Sequence, residues 1–228
     1  MIDPAPKPRA SATFARASPD GTRRLAPKKD FVLNQAPNFD PAVLIHVRTV
    51  ISIIVGISVG RLLTGLARFV QHPSRQKIYG VHLVWAFFML LQMIYFWWWE
   101  FHLNIVQWTF AIYCFTALYA SAYFFLCTLL FPDTIHEYTG FEDYFMSRRK
   151  WFFGILIGTF ILDIADTFIK GTEYAQSIGS EYWVRFALYV VASAAAIKTE
   201  SQRFQLAFAI VALIGETGWA FSLYYTLT

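Results

Sequence analysis

From Val43 onward the chain alternates long apolar runs with short polar breaks. The runs extend from about Val43 to Val70, Tyr79 to Phe101, Val106 to Phe131, Trp151 to Phe168, Tyr182 to Ile197 and Phe204 to Leu227. About 20 residues of mostly apolar helix cross a bilayer core, and each run reads as one crossing. Within them, stretches such as LVWAFFMLLQMIYFWWW lack the alternating polarity of a spanning strand. Backbone groups in hydrocarbon have no water to bond, so the runs predict helices. The expected fold is therefore all-α, a polytopic integral membrane protein whose six transmembrane helices fill residues 41–228.

Composition points the same way. Of the 228 residues, 57% are hydrophobic and 15% charged, against roughly a quarter charged in an ordinary soluble domain. Residues 1–40 differ in kind: Pro and Ala recur, apolar periodicity is absent, and Lys7, Arg9, Arg16, Arg23, Arg24, Lys28 and Lys29 make the segment basic. It is expected to be a disordered tail. No apolar stretch of signal-peptide type precedes Val43, and Asp3 and Asp20 argue against an organelle transit peptide.

Loop charge sets the orientation. The first, third and fifth loops hold Arg75, Lys77, Arg148, Arg149, Lys150, Lys198 and Arg203, whereas the second and fourth hold only Lys170. The positive-inside rule places the odd loops in the cytoplasm, which exports the basic tail, so tail and loops pull in opposite directions. The expected location is a bacterial-type plasma membrane.

Three consecutive tryptophans, Trp97, Trp98 and Trp99, close the second run, followed by Glu100, His102 and Asn104. That is where an interfacial aromatic belt belongs, and a ligand wall is the competing reading. Cys114 and Cys127 lie thirteen residues apart on one expected helix, too far to bond to each other, and belong to packing.

Shifting the chain by 98 residues aligns 53–130 with 151–228 without a gap, and fourteen of the 78 pairs are identical. Gly56 and Gly60 fall on Gly154 and Gly158, Trp85 on Trp183, and QWTFAI on QLAFAI. A duplicated unit of three crossings has to insert upside down, so the alignment predicts a 3+3 inverted repeat, with halves of about 43–131 and 149–228. The two GxxxG pairs are then expected to be close helix-packing faces.

Charges in hydrocarbon cost at least about 2.5 to 3.5 kcal/mol each and require partners or a wet cavity. The repeat register puts Arg61 and Glu216 near midplane as a first pair. Asp163 and Asp166 share a face of the fourth run, at a depth that suits Arg185, and His82 shares a depth with Arg68. Arg61, Asp163 and Glu216, with Asp166, Arg185 and His82 around them, form the expected charged site.

The function expected from this reading is a small-solute or ion transporter or channel. A non-catalytic subunit or scaffold for partner membrane proteins, or a homo-oligomer, is the alternative from another class. Less favoured is a haem b electron carrier using His46 with His102, or His72 with His82, as axial pairs; otherwise no cofactor is expected. Asp133, His136 and Glu137 match no metal spacing. Hydrolase and phosphate-loop motifs are absent, so no enzyme is expected, and no fold here supports nucleic-acid binding.

Overall fold

In the computed structural model, residues 41–72, 78–100 and 108–224 are described. The basic tail, Arg75, Lys77, His102 and Asn104 lie outside them. The described residues form seven helices and no strand: α1 (Pro41–Gln71), α2 (Gly80–Trp99), α3 (Phe110–Leu130), α4 (Phe141–Ile169), α5 (Thr172–Ser177), α6 (Ser180–Lys198) and α7 (Gln202–Tyr224).

Local chemistry accounts for several helix ends. The Thr109 hydroxyl caps α3 by accepting from the Ile112 amide at 3.3 Å. Glu142 and Asp143 occupy the first turn of α4, where negative charge suits the positive end of the helix dipole. Asp143 also accepts from the Thr139 amide at 3.1 Å. At its other end α4 stops at Gly171, whose φ of 118° disfavours any residue with a Cβ. The short α5 then turns the chain into α6.

Five helices, α1 to α4 and α7, are long and apolar enough to cross a membrane. The expected sixth, α6, does not meet that standard, because Glu181, Arg185 and Lys198 dilute its apolar content. The protein is thus a multi-pass membrane protein built from several apolar helices. Their outward faces carry Ile53, Leu118, Ile161, Val211 and Phe221, all exposed, as lipid contact requires.

Contacts fix the directions of the helices. α2 and α4 run the same way, since Trp85 meets Phe152 and Phe153 at 5.2 and 5.4 Å while Glu100 meets Lys170 beyond their far ends. α7 runs with them, pairing Phe208 with Trp85 and Trp219 with Trp99. α1 and α3 are parallel to each other, with His46 stacked on Tyr113 and Phe69 edge-on to Phe131. α6 lies antiparallel to α4 and α7: Tyr189 stacks on Phe160 at 5.1 Å, Tyr182 reaches Thr167, and Gln205 donates to the Ala196 carbonyl at 2.9 Å.

The neighbour pattern recurs only in part between the two halves of the chain: α1–α2 is matched by α4–α6 and α2–α3 by α6–α7. A pseudo-twofold axis would exchange α1 with α4, α2 with α6 and α3 with α7. The main α1–α3 and α2–α7 pairings would then recur as α4–α7 and α6–α3, and neither is a main pairing among the described residues. Nor are the GxxxG pairs packing faces. A Cβ built on Gly56, Gly60, Gly154 or Gly158 meets nothing within 4 Å, and three of the four glycines are exposed. The glycine at a close approach is Gly65, where a Cβ would collide with the Phe131 ring. Spacing alone identified the common motif and overlooked the glycine with a steric reason.

The core is aromatic. Trp85 sits fully enclosed among Phe88, Phe152, Phe153 and Phe208, all edge-on at 5.1 to 5.4 Å, the arrangement the ring quadrupoles favour.

Candidate functional site

The ionisable residues of the bundle divide into three groups, and the division differs from the one expected. Arg61 pairs with Asp133 at 2.5 Å, at the bundle end where α3 gives way to the loop before α4. Glu216 instead pairs with Arg185 of α6. The Arg61–Glu216 pair inferred from the repeat register is therefore not formed. The register placed the two at one depth, but depth is shared by every helix and says nothing about which faces meet.

His82 belongs to neither ion pair. It is buried near the start of α2, with Nε2 at 2.5 Å from the Leu130 carbonyl and its ring 4.6 to 6.1 Å from Phe69, Phe131 and Phe141. These rings close around the imidazole, and His72 is exposed, so this pair does not form a haem site. His46 stacks on Tyr113. No cluster of three or more metal-ligating side chains exists among the described residues.

The other buried charges gather toward the opposite end of the bundle, where α2, α4 and α7 finish and α6 begins. Lys170, the residue that ends α4, is buried and donates to Asp166 one turn back at 2.5 Å. Its ammonium is 3.7 Å from Glu100 and 5.3 Å from the centre of the Trp99 ring. Glu100 is itself buried, and neither carboxylate oxygen has a hydrogen-bond partner among the described residues. The sequence pairs Arg185 with Asp166 or Asp163; Asp166 instead joins Lys170 because the two are four residues apart on one helix, where side chains meet.

Asp163, one turn before Asp166, forms no ion pair among the described residues. It accepts hydrogen bonds from Tyr119 of α3 at 3.2 Å and from Tyr182 of α6 at 2.7 Å. The Tyr119 and Tyr123 hydroxyls lie 3.5 Å apart, which links Asp163 into a chain of phenols. Arg185 is held over the Trp219 ring at 3.9 Å, a cation–π seat, while it bonds Glu216.

Between these groups lies a cavity of about 50 Å³. Asp163, Arg185 and Glu216 line it together with Gln92 of α2, and its apolar walls are aromatic, among them Phe96, Phe160 and Trp219. A space of this size holds a few water molecules or one small ion. Of the six residues expected to make the charged site, then, the cavity gathers three, Asp163, Arg185 and Glu216; Asp166 stands one turn away, and Arg61 and His82 are elsewhere.

Sequence reasoning missed Lys170, Glu100, Gln92, Tyr119 and Tyr182. Lys170 carried one usable signal, its i,i+4 spacing from Asp166; it had been assigned to a loop. Gln92 and the tyrosines had none, since a lone polar residue in an apolar helix does not reveal which way it faces. The three tryptophans divide. Trp97 and Trp98 are 52% and 49% exposed, as a belt requires, whereas Trp99 turns inward to line the cavity and approach Lys170.

Compared with known protein families, with characterised proteins and with solved structures, the chain matches none.

Proposed function

We propose that this protein moves a small polar solute or ion across the membrane, and that the cavity between Asp163, Arg185 and Glu216 is where that solute rests. The observation that carries this reading is the cavity itself: a polar space, deep among apolar helices, at which two carboxylates face one guanidinium. A purely structural ion pair favours closed packing, since every void beside a buried charge forfeits contacts the charge needs. Here a void is kept, and functional sites are the usual reason for ionisable groups within a membrane.

On this reading α6 is a sixth crossing. The chain leaves α4 at one end of the bundle and enters α7 at the other, with α4 and α7 parallel, and α6 makes the return. Its outward residues Val184, Leu188 and Val191 are exposed and apolar; Arg185 and Tyr182 face the bundle. The bundle end bearing Arg149 of α4, Lys198 of α6 and Arg203 of α7 would lie on the cytoplasmic side.

Flux across liposomes tests the proposal. Purified protein in proteoliposomes should dissipate gradients of protons or small monovalent cations faster than protein-free liposomes, and Asp163→Asn and Glu216→Gln should each slow this by roughly tenfold or more, the loss expected for one charged contact. Equal rates with and without protein across that panel would refute it.

A subunit role is the second reading. It is favoured by the exposed stripe of Phe87, Ile94 and Trp98 along α2, a surface that suits a neighbouring membrane helix as well as lipid. Co-purification of one stoichiometric membrane partner, without flux, would select it.

A further inference from the structure

We infer that the cavity is a binding site for a small ammonium-type cation, with Arg185 as a tethered occupant that the ligand displaces from its carboxylate. The inference rests on the transport reading for its purpose, but its own observations concern binding alone.

The charge of the lining comes first. Asp163 and Glu216 contribute two carboxylates and Arg185 one guanidinium, so with both carboxylates ionised the lining carries one negative charge in excess. Asp163 accepts from two phenols, Tyr119 and Tyr182, and forms no direct ion pair among the described residues. Such a wall repels anions and leaves one cation wanting. Its aromatic faces, including Trp219 and Tyr182, add the negative face of the ring quadrupole, which favours cations and penalises anions. Arg185 itself shows that the site suits a nitrogen cation, because its guanidinium already lies on Trp219 beside Glu216.

Gln92 supplies an independent observation. This α2 residue is only 9% exposed, lines the cavity, and has no hydrogen-bond partner among the described residues. An amide this deep in an apolar helix bundle loses its hydrogen bonds to water and ought to recover them within the protein. It recovers none, and the space it faces is the cavity. Turned toward this space, its carbonyl oxygen offers a third acceptor beside Asp163 and Glu216. Three oxygen acceptors and aromatic faces suit N–H donors arranged around one positive nitrogen. The space, about 50 Å³, is of the order of ammonium or methylammonium, and cholinium serves as the oversized control.

Titration calorimetry on the detergent-purified full chain, with ammonium, methylammonium, potassium and cholinium chlorides, tests the inference. Wild-type protein should bind ammonium and methylammonium saturably and in preference to potassium, which brings charge without N–H donors, and should not bind cholinium. Gln92→Ala removes no hydrogen bond present within the protein, so it leaves folding intact and should weaken ammonium binding by roughly tenfold, one hydrogen bond to a charged group. Asp163→Asn should weaken it at least as much. Arg185→Gln removes the tethered competitor and should tighten it. Absence of saturable ammonium binding, equal affinity for potassium, or an unchanged affinity in Gln92→Ala would overturn the inference. Ammonium binding without flux in liposomes would overturn the transport reading alone; flux of another solute without ammonium binding would overturn this inference alone.

Discussion

The pair of Arg185 and Glu216 offers the sharpest check on the arrangement of α6 and α7. Glu216 is almost fully enclosed, its side chain 3% exposed, while that of Arg185 is 20% exposed and lies on the Trp219 ring. Removing one member of a buried pair typically costs about 3 to 5 kcal/mol, because the survivor is left charged and unpartnered. Arg185→Met strands the more deeply buried partner, but the site borders a polar cavity, so we expect the lower end, about 3 kcal/mol. Glu216→Gln strands a guanidinium that keeps its aromatic face and its partly open side, which lowers the expected loss to about 1.5 kcal/mol. In the double variant no charge is orphaned. What remains is the lost cation–π contact and some packing, about 1.5 kcal/mol. The coupling energy is then 3 + 1.5 − 1.5, or about 3 kcal/mol, at the top of what contacting residues usually show. Equilibrium unfolding of the four proteins in mixed micelles, with denaturing detergent as the titrant, measures it. Additive losses, about 4.5 kcal/mol in the double variant, would mean that the two side chains do not meet and that the α6–α7 register described here is wrong.

Three further outcomes follow from particular contacts. Lys170→Met leaves Asp166 and Glu100 both buried beside a methionine, and is expected to destabilise by about 3 to 5 kcal/mol, with most of the loss recovered in the triple variant that also carries Asp166→Asn and Glu100→Gln; the same unfolding titration reads it. Gly65→Ala forces the Phe131 ring out of place and should cost about 1 to 3 kcal/mol by overpacking, whereas Gly56→Ala and Gly154→Ala meet open space and should leave the melting temperature unchanged or raise it slightly. Brominated lipids should quench Trp97 and Trp98 and spare Trp99. Single Trp→Phe replacements read by steady-state fluorescence test this, and equal quenching of all three would place Trp99 on the lipid face.

Much of the architecture was legible in the order of residues because the bilayer imposes a simple demand: where water is absent, an apolar stretch of spanning length has to be helix. That demand is one-dimensional, so the runs alone located the long helices and the membrane character of the chain, although α4 begins at Phe141, well before its apolar run at Trp151. It also explains why α6 falls short as a crossing by composition, since Glu181 and Lys198 lie at its exposed ends and Arg185 turns into the bundle, and composition records neither position nor direction. Partnership is a different kind of fact. Whether Glu216 meets Arg61 or Arg185, whether Trp99 faces lipid or Lys170, and whether Gly56 or Gly65 is the tight approach depend on the rotation of each helix about its own axis and on which neighbours surround it. Apolar side chains cover nearly every face of these helices, so periodicity in the sequence carries little information on that rotation. Only the packed bundle, with Trp85 and its ring of phenylalanines setting how the helices turn, decided that Asp163, Arg185, Glu216 and Gln92 share one space.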